Sequence, residues 1–419
     1  MSKLLIQGPS RLEGEIRVHG AKNSTLPLMA ASLLCSGACV LHNCPVLSDV
    51  RTSERILRHL GCSTERSGAD VWIDPRGVDQ WVIPEHLMRE MRSSIVFLGA
   101  IVSRMGRAEL SFPGGCELGP RPIDLHLSAL RKLGVEIQED HGCLRCSVPG
   151  GLKGANIAFS FPSVGATENV LLAACCAKGV TVITNAAREP EICDLTDFLN
   201  SCGAKISGAG DGMIVVEGVE SLRGCEHEVI PDRIAATTFL AAAAVTGGTV
   251  TLSHVTHAHL APVLPVFEES GCRFDIHKGV IRMSAPKRLN RIKNVRTMPY
   301  PGFPTDAQAP VMAMAALADG TSIFVENIFE SRYKHVGELL RLGANIKVEG
   351  RVAVVEGVER LSGAPVEAAD LRGGAALVVA GLAAQGETLV SGIHHIDRGY
   401  EDLEGRLCAL GARVARLPG

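Results

Sequence analysis

The feature that most constrains the fold is a pattern that recurs six times along the chain at nearly even intervals. One signature is a leucine-rich segment that closes in glycine before an alternating strand pattern. Its glycines are Gly61, Gly134, Gly203, Gly271, Gly343 and Gly411. A second signature, an alanine- and leucine-rich segment, closes at Gly37, Gly106, Gly179, Gly247, Gly320 and Gly386. Two signatures in one register predict six copies of one structural unit, each of roughly 70 residues.

Each copy has the pattern of an α/β unit. The first copy predicts a strand at 15–19, an all-apolar helix at 26–35 capped by Gly37, a strand at 38–41, an amphipathic helix at 52–60 and a strand at 71–74. A helix that is apolar all round must be buried, whereas an amphipathic helix has one solvent face. Solenoid repeats are shorter, at ~20–50 residues. We therefore predict closed α/β subdomains grouped three and three, with a hinge within 218–231.

Composition excludes several classes of protein. The chain has 419 residues, 46% of them hydrophobic, which excludes wholesale disorder. Its net charge of −3 argues against a general nucleic-acid binder. The longest apolar runs, at 239–245 and 375–384, are shorter than the ~20 residues that span a membrane. Without a signal-peptide pattern at its start, we expect a cytoplasmic protein whose 14 cysteines are mostly free thiols.

Charged residues recur where the buried helices begin. A helix N-terminus favours anions, but capping side chains also satisfy its N–H groups without any ligand. The positions at one nearly constant distance before the second set of glycines are Lys22, Arg92, Gly165, Asp232, Asp306 and Arg372. Plain capping fits Ser24, Ser93, Thr167 and Asp232. Because cations oppose the helix dipole, Lys22, Arg92 and Arg372 favour contact with an anionic ligand.

One segment, 112–126, departs from the repeat pattern. It holds Pro and Gly at close intervals, which predicts an exposed loop. Cys116 in this loop, with Arg121 and His126 nearby, is a candidate reactive thiol of low pKa.

The other cysteines and the clustered histidines have simpler interpretations. Cys143 and Cys146 form a CxxC in a strand without a second ligand pair, which argues against zinc. On apolar faces, and so interpreted as small hydrophobic residues, are Cys35, Cys39, Cys175, Cys176 and Cys408. Ordinary loop histidines are predicted at His254, His257 and His259.

Several motifs together resemble one family of enzymes. They are Gly20–Asn23, Pro113–Cys116 continuing through Arg121–His126, Ser163–Thr167, Asn185–Glu191, Phe303–Asp306, Asp370–Arg372 and His395–Tyr400. On these residues, from end to end, the chain is similar to the UDP-N-acetylglucosamine 1-carboxyvinyltransferase family of enolpyruvyl transferases. The resemblance implies a two-domain inside-out α/β barrel of six βαβαββ-type repeats. It also implies domains at 21–229 and at 1–20 plus 230–419, with the first strand belonging to the second domain.

The resemblance implies a reaction and a cellular role. The enolpyruvyl group of phosphoenolpyruvate passes to the 3′-hydroxyl of UDP-N-acetylglucosamine by addition and elimination, and phosphate is released. This is the first committed step of peptidoglycan synthesis, and hence serves cell-wall biogenesis, cell shape, division and the cell cycle in the cytoplasm. No cofactor, metal, nucleic acid or membrane insertion is implied.

The resemblance also implies roles for individual residues. Cys116 is the proton donor and forms a covalent adduct, and Asp306 is the base at the sugar hydroxyl. The phosphoenolpyruvate clamp is Lys22, Arg121 and Arg398, and the intermediate is steadied by Asn23 and Asp370. The nucleotide-sugar contacts are Arg92, Arg121, Pro122, Ile123, Asp124, Leu125, Ser163, Val164, Gly165, Asp306 and Ile328. For Arg332 and Arg372, substrate contact and interdomain salt bridges are both open.

Two positions depart from what some family members carry. Phe161 stands where some have lysine, and Cys116 stands where some have aspartate. The thiol predicts alkylation by fosfomycin-type epoxides, and the glycine-rich loop around it predicts closure over bound nucleotide sugar. Two other functions stay open: a 5-enolpyruvylshikimate-3-phosphate synthase, and a catalytically silent relative that binds nucleotide sugar.

Overall fold

The computed structural model describes residues 2–112 and 123–418, which divide into two units. Unit A comprises the described residues of 20–230, and unit B comprises 2–19 plus 231–418. The N-terminal strands β1 (Lys3–Gly8) and β2 (Glu13–Arg17) belong to unit B. No helix within 2–112 or 123–418 combines the length and apolarity needed to cross a membrane.

Unit A carries 12 strands and seven α-helices along its described residues. They are α1 (Lys22–Ser32), β3 (Cys39–His42), α2 (Ser48–His59), β4 (Ser63–Ser67), β5 (Asp70–Asp74), β6 (Val82–Ile83), α3 (Glu85–Glu90), α4 (Phe97–Met105), β7 (Arg107–Ser111), α5 (Asp124–Lys132), β8 (Glu136–Asp140), β9 (Cys143–Ser147), β10 (Asn156–Ala158), α6 (Val164–Ala174), β11 (Val180–Thr184), α7 (Pro190–Ser201), β12 (Lys205–Ser207), β13 (Met213–Glu217) and β14 (Glu226–Glu228). Short 3-10 helices lie at Pro75–Gly77 and Arg92–Val96, the second leading into α4.

Unit B continues the same alternation. Its elements are α8 (Arg233–Val245), β15 (Thr249–Ser253), α9 (His257–Leu260), α10 (Leu264–Glu269), β16 (Arg273–His277), β17 (Val280–Ser284), β18 (Asn294–Arg296), α11 (Thr305–Ala315), β19 (Thr321–Val325), α12 (Val336–Arg341), β20 (Asn345–Glu349), β21 (Val352–Glu356), β22 (Pro365–Glu367), α13 (Leu371–Ala383), β23 (Gly386–Ser391), a 3-10 helix (Ile393–Arg398), α14 (Leu403–Ala409) and β24 (Val414–Leu417).

The described strands form six four-stranded sheets, one for each predicted repeat. In each sheet a short edge strand pairs in parallel with the strand that follows the buried helix, and two antiparallel strands complete the sheet. In the third repeat, for example, β10 is parallel to β11, and β13 and β12 follow in antiparallel register. The α/β class and the six βαβαββ-type repeats are thereby confirmed, as open sheets around buried helices.

Two strands cross between the sequence halves. The strand before α1, β2, pairs in parallel with β15 in unit B, and the strand before α8, β14, pairs in parallel with β3 in unit A. The chain start also completes the last repeat, because β1 lies between β23 and β24. Each unit therefore closes on a strand that is distant in sequence.

Glycine is required after each amphipathic helix. Gly61, Gly134, Gly203, Gly271, Gly343 and Gly411 all have φ between 92° and 105°. Side chains strongly disfavour this region, so one glycine per repeat ends the helix and lets the chain reverse. The glycine that recurs in the sequence therefore marks a backbone conformation that other residues rarely adopt.

The all-apolar helices form the cores of the units. In unit B, α8, α11 and α13 pack on one another, and nearly all their residues are buried. In unit A, α4 packs on both α1 and α6. Exposure to water costs the most free energy for a helix with apolar residues on all sides. These helices therefore lie inside, while the sheets face outward.

Several local predictions are wrong. The first buried helix begins at Lys22, earlier than predicted, and ends at Ser32 with Leu33 as its cap, so Gly37 does not cap it. Cys408 is exposed rather than on an apolar face. His257 and His259 lie in a short helix, α9, instead of in a loop. Cys143 and Cys146 lie in β9 as predicted, half-buried and buried respectively.

Candidate active site

The predicted charged residues lie at the first turns of the buried helices. In unit A, Lys22 starts α1, Arg92 starts the 3-10 helix before α4, and Ser163 precedes α6. In unit B, the equivalent starts carry Asp232, Asp306 and Asp370. Cys116, Arg121 and Pro122, with the predicted closure of their loop, lie outside the described residues.

Three side chains cap these helices. Asp232 accepts hydrogen bonds from the backbone N–H groups of the second and third helical residues of α8, both at 2.8 Å. Asp370 does the same for α13, at 2.9 and 3.0 Å. Ser163 accepts from the Ala166 N–H at 3.4 Å. Capping is therefore confirmed at Asp232.

Three predicted caps serve other purposes. Ser24 lies inside the first turn of α1, and its hydroxyl donates to Asp194 on α7. The 3-10 helix that contains Ser93 has no side-chain cap. Thr167 donates to the Ser163 carbonyl at 2.8 Å and accepts from the Ala187 N–H at 3.1 Å. The capping predictions for Ser24, Ser93 and Thr167 are wrong, because the structure gives none of these side chains a capping hydrogen bond.

Lys22 is a fixed, buried cation at the start of α1. Its Nζ lies 2.9 Å from Asp49 Oδ2, and the two side chains are 11% and 3% exposed. The partner carboxylate stands in the first turn of α2. A buried pair is retained only where its geometry and further hydrogen bonds are good. This pair holds the ammonium in place, beside half-buried Asn23, at a helix end that attracts anions.

Asn169 on α6 connects three helix starts in unit A. Its Oδ1 accepts from the Gly99 N–H at 2.7 Å. Its Nδ2 donates to the Ile95 carbonyl at 3.1 Å, to His126 Nδ1 at 2.9 Å and more weakly to the Gly165 carbonyl at 3.4 Å. Because α4, α5 and α6 meet at this one amide, it sets their relative positions within unit A.

His126 is a neutral imidazole packed against a glycine. Burial lowers its pKa to about 4, and the positive charge of Arg92 adds to the shift. Since Nδ1 accepts from Asn169, the ring proton is assigned to Nε2. A Cβ at Gly165 would lie 3.0 Å from His126 Cε1, so the ring excludes a side chain there. The low pKa predicted for the Cys116 thiol concerns a residue outside the described part of the chain and stays a prediction.

The remaining predicted contacts of unit A line the starts of α5 and α6. Ile123 is buried, Asp124 is exposed, and Leu125 and the Ser163–Gly165 turn are half-buried, Val164 among them. Phe161 is 42% exposed on the loop before α6. Its ring therefore presents an apolar surface before α6.

Asp306 is the centre of the site in unit B. Arg332 Nη2 lies 2.9 Å from Asp306 Oδ1, and Arg372 Nη2 lies 3.1 Å from Oδ2. Both guanidinium side chains are almost fully buried, while the carboxylate is 27% exposed. A carboxylate offers about four lone-pair sites, so these two contacts do not exhaust its capacity. All three residues belong to unit B, so the interpretation of these contacts as interdomain salt bridges is wrong.

Glu326, which sequence reasoning missed, builds the loop that carries Ile328. Its Oε1 accepts from Thr297 Oγ1 at 2.9 Å and from the Ile328 N–H at 2.8 Å. Its Oε2 accepts from Thr305 Oγ1 at 3.1 Å. A carboxylate only 1% exposed that is satisfied in this way ties the Ile328 loop to the start of α11, next to Asp306.

Asp370 and His335 are two further buried polar residues in unit B. Burial lowers the pKa of His335 to about 4, and Arg332 lowers it further, while Asp370 opposes the shift. A Cβ at Gly373 would lie 2.7 Å from Asp370 Oδ2 and 2.9 Å from His335 Cβ, so the glycine is required. Within 2–112 and 123–418, Asp370 Oδ2 and both ring nitrogens of His335 have no hydrogen-bond partner.

The last motif, at 395–400, ends beside the same helices. Arg398 closes the 3-10 helix Ile393–Arg398 and is half-buried. Tyr400 is buried, and its hydroxyl lies 2.8 Å from Thr238 Oγ1 on α8. The Arg372 guanidinium lies 5.4 Å from the centre of the Tyr400 ring. Tyr400 of this motif therefore packs beside Arg372, the arginine that contacts Asp306.

Two polar residues in apolar helix α6 were a signal that sequence reasoning passed over. Glu168 and Asn169 interrupt an otherwise apolar run, and a buried polar residue in such a run needs partners. Burial raises the pKa of Glu168 to about 8, and Glu191 and Glu189 add to the shift. Glu168 is therefore mostly protonated at neutral pH.

Comparisons with known proteins show which family the chain belongs to. The family model for EPSP synthase (3-phosphoshikimate 1-carboxyvinyltransferase) matches residues 6–407. The chain belongs to this family. In structure it is similar to the enolpyruvyl transferase NikO from Streptomyces tendae, with a TM-score of 0.90, 27% identity and coverage of 99% and 98% of the two chains. An EPSP synthase from Acinetobacter baumannii has the same fold, with a TM-score of 0.78, 19% identity and complete coverage of both chains.

Two similar sequences carry the same enzyme name. UDP-N-acetylglucosamine 1-carboxyvinyltransferase 2 of Caldanaerobacter subterraneus subsp. tengcongensis is 52% identical over 417 residues, covering 100% of both chains. UDP-N-acetylglucosamine 1-carboxyvinyltransferase 1 of Symbiobacterium thermophilum is 50% identical over 420 residues, covering 99% of this chain and 95% of its own. The resemblance predicted from the sequence motifs is confirmed.

Proposed function

We propose that the chain transfers the enolpyruvyl group of phosphoenolpyruvate to the 3′-hydroxyl of UDP-N-acetylglucosamine and releases phosphate. The observation that carries this proposal is the identity of 50% and 52% over nearly full length to two carboxyvinyltransferases named for that acceptor. The EPSP synthase alternative has weaker support, since the EPSP synthase from Acinetobacter baumannii shares 19% of its residues with this chain. The role in peptidoglycan synthesis in the cytoplasm is part of the same proposal.

The reaction needs a base, an acid and cations. In the proposed addition, Asp306 takes the proton of the sugar hydroxyl while Cys116 gives a proton to the phosphoenolpyruvate methylene carbon. The sugar oxygen bonds to the neighbouring carbon and yields a tetrahedral ketal. Loss of phosphate and of one methyl proton then restores the double bond. The Arg332 and Arg372 contacts support the role of Asp306, because they fix the orientation of its carboxylate.

Substrate binding is divided between groups of residues. For phosphoenolpyruvate we propose Lys22, Arg121 and Arg398, because a fixed ammonium and guanidinium groups match its phosphate and carboxylate. Asn23 and Asp370 steady the intermediate. The nucleotide sugar contacts Arg92, Ile123, Asp124, Leu125, Ser163, Val164, Gly165 and Ile328, with Arg121 and Pro122. The proposed domains are 21–229, and 1–20 plus 230–419.

Acceptor choice tests the proposed function directly. With phosphoenolpyruvate fixed, phosphate release with UDP-N-acetylglucosamine is expected to exceed release with shikimate 3-phosphate by at least about tenfold, since a site built for one acceptor's polar groups rejects another. Initial rates in a coupled phosphate assay measure this. Equal or inverted rates would favour the EPSP synthase alternative. Release with neither acceptor, alongside retained nucleotide-sugar binding, would favour the silent relative.

Epoxide labelling tests the proposed thiol. Treatment with fosfomycin is expected to add one molecule per chain at Cys116, seen by peptide mass spectrometry, with activity lost in parallel. A Cys116→Ser variant should remain unlabelled, because a hydroxyl is a far weaker nucleophile than a thiolate. Cys408→Ser, which removes an exposed thiol, is the matched control and should label like wild type. Retained activity with no adduct would contradict the assignment.

A further inference from the structure

Four thiols that are far apart in sequence meet in the interior of unit A. Cys35 follows α1, Cys39 starts β3, Cys202 follows α7 and Cys225 precedes β14. The Sγ atoms of Cys35 and Cys202 lie 3.6 Å apart, and those of Cys202 and Cys225 lie 3.2 Å apart. The Sγ atoms of Cys35, Cys39 and Cys202 all lie within 4.8 Å of one another. We call Cys35, Cys39 and Cys202, with Cys225 beside Cys202, the thiol cluster; the burial of Cys35 and Cys39 in the apolar core agrees with their interpretation as small hydrophobic residues.

We propose that the thiol cluster binds a single thiophilic divalent cation of the Zn²⁺ type. Zinc bonds to cysteine sulfur at about 2.3 Å in a tetrahedron, which sets sulfur atoms about 3.8 Å apart. The separation of 3.6 Å between the Sγ atoms of Cys35 and Cys202 lies close to that value, and Cys39 Sγ lies within 4.8 Å of both. The spacing of Cys35 and Cys39, with three residues between them, is also a common zinc-ligand spacing.

Backbone hydrogen bonds hold the cysteine-bearing segments together. The N–H of Ser36 donates to the Leu222 carbonyl at 2.8 Å, and the N–H of Val40 donates to the Cys225 carbonyl at 3.0 Å. The N–H after Leu222 donates to the Cys202 carbonyl at 2.8 Å. The ligands are thus placed by the main chain before any cation binds, which lowers the ordering cost of binding.

A glycine allows the closest approach. A Cβ at Gly224, the residue before Cys225, would lie 2.0 Å from the Ala38 carbonyl oxygen, next to Cys39. No side chain fits there, so the segments that carry Cys39 and Cys225 meet backbone to backbone. Arg104 donates to the Cys35 carbonyl at 3.3 Å and brings a positive charge beside a site that would carry three thiolates.

Other uses of four thiols fit less well. A disulfide between Cys202 and Cys225 would not involve Cys35 and Cys39, although the main chain fixes their positions as well. A cluster of several irons would hold its sulfur ligands further apart than one ion does. Cysteines that only fill space in the core occur elsewhere as single buried thiols. Cys44 is an example, and burial raises its pKa to about 12.

Binding would be a ligand exchange with proton release. The three thiols that lie within 4.8 Å of one another, Cys35, Cys39 and Cys202, bind one divalent cation as thiolates with water as the fourth ligand, and three protons pass to solvent, so no oxidant or reductant is needed. The cation would join α1 and β3 to α7, which closes unit A between its first and third repeats. The thiol cluster lies at the opposite end of α1 from Lys22, so this role is separate from the proposed transfer reaction.

Metal content and a spectroscopic substitute test the proposal. Protein made in zinc-supplemented medium and purified without chelators is expected to hold about one zinc per chain by elemental mass spectrometry. A Cys202→Ala variant should hold at least tenfold less. Cys175→Ala is the matched control, because Cys175 is also buried directly after a helix, and it should hold as much as wild type. Cys39→Ala provides a second test should Cys202→Ala not fold.

A titration of reduced wild-type protein with Co²⁺ needs no variant. Tetrahedral thiolate coordination is expected to produce sulfur-to-cobalt charge-transfer bands that one equivalent of Zn²⁺ removes, and Cys175→Ala should give the same spectrum. Zinc below a tenth of an equivalent with no cobalt–thiolate bands would overturn the proposal. So would a Cys202–Cys225 disulfide as the main species in freshly isolated protein.

Discussion

Asp306→Asn is expected to lower kcat for phosphate release about 10²–10⁴-fold, the range for loss of a positioned acid or base. Asparagine keeps the size of the side chain but cannot take up the proton of the sugar hydroxyl. KM for the nucleotide sugar should change less than kcat, because the other proposed contacts stay in place. Steady-state kinetics with both substrates varied measures this difference.

The same position also predicts a stability effect. Asp306→Ala would leave Arg332 and Arg372, whose side chains are 2% and 3% exposed, without their shared carboxylate. Removing one partner of a buried ionic group costs about 3–5 kcal/mol. Urea unfolding of Asp306→Ala and Asp306→Asn beside wild type separates this cost from the kinetic effect.

Asp319→Asn is the control for Asp306. Its side chain is 75% exposed, and it forms one surface ion pair with Arg288 at 3.3 Å. Such pairs contribute about 0–1 kcal/mol, so activity and unfolding midpoint should stay near wild type. A kcat for Asp306→Asn within threefold of the wild-type value would exclude the base role.

The repeat was predictable because it rests on local backbone chemistry. Each glycine of the first signature, from Gly61 to Gly411, has a positive φ and ends an amphipathic helix in the same way, and this constraint is visible in one residue type at one spacing. The start of α1 was not predictable. Lys22 and Ser24 look like a polar junction until Asp49 and Asp194, on other helices, satisfy them in the interior.

Parts of the site depend on long-range pairing that no local pattern encodes. Asp306 stood out as a helix start, but its two guanidinium partners are 26 and 66 residues away. The thiol cluster forms only because β14 pairs with β3 across the whole of unit A, which brings Cys225 to Cys39. Such contacts follow from topology. The placement of the first strand in the second domain entered the sequence interpretation through the family resemblance alone.

Asn169→Ala is expected to give a large loss of stability in unit A. It removes the partners of three buried groups at once: the Gly99 N–H, the Ile95 carbonyl and His126 Nδ1. Each buried group left unpaired costs about 1–3 kcal/mol, so three of them should lower the free energy of unfolding by roughly 3–9 kcal/mol.

A matched control separates this positioning role from the loss of any asparagine. Asn200→Ala removes two 2.9 Å hydrogen bonds that both go to Ile206 in the adjacent strand, and a loss of about 1–2 kcal/mol is expected. Because Asn169 orients His126 against Gly165, Asn169→Ala should also raise KM for the nucleotide sugar more than KM for phosphoenolpyruvate. Urea unfolding gives the first quantity and two-substrate kinetics the second. Equal unfolding midpoints for Asn169→Ala and wild type would mean that the three helix starts are held without this amide.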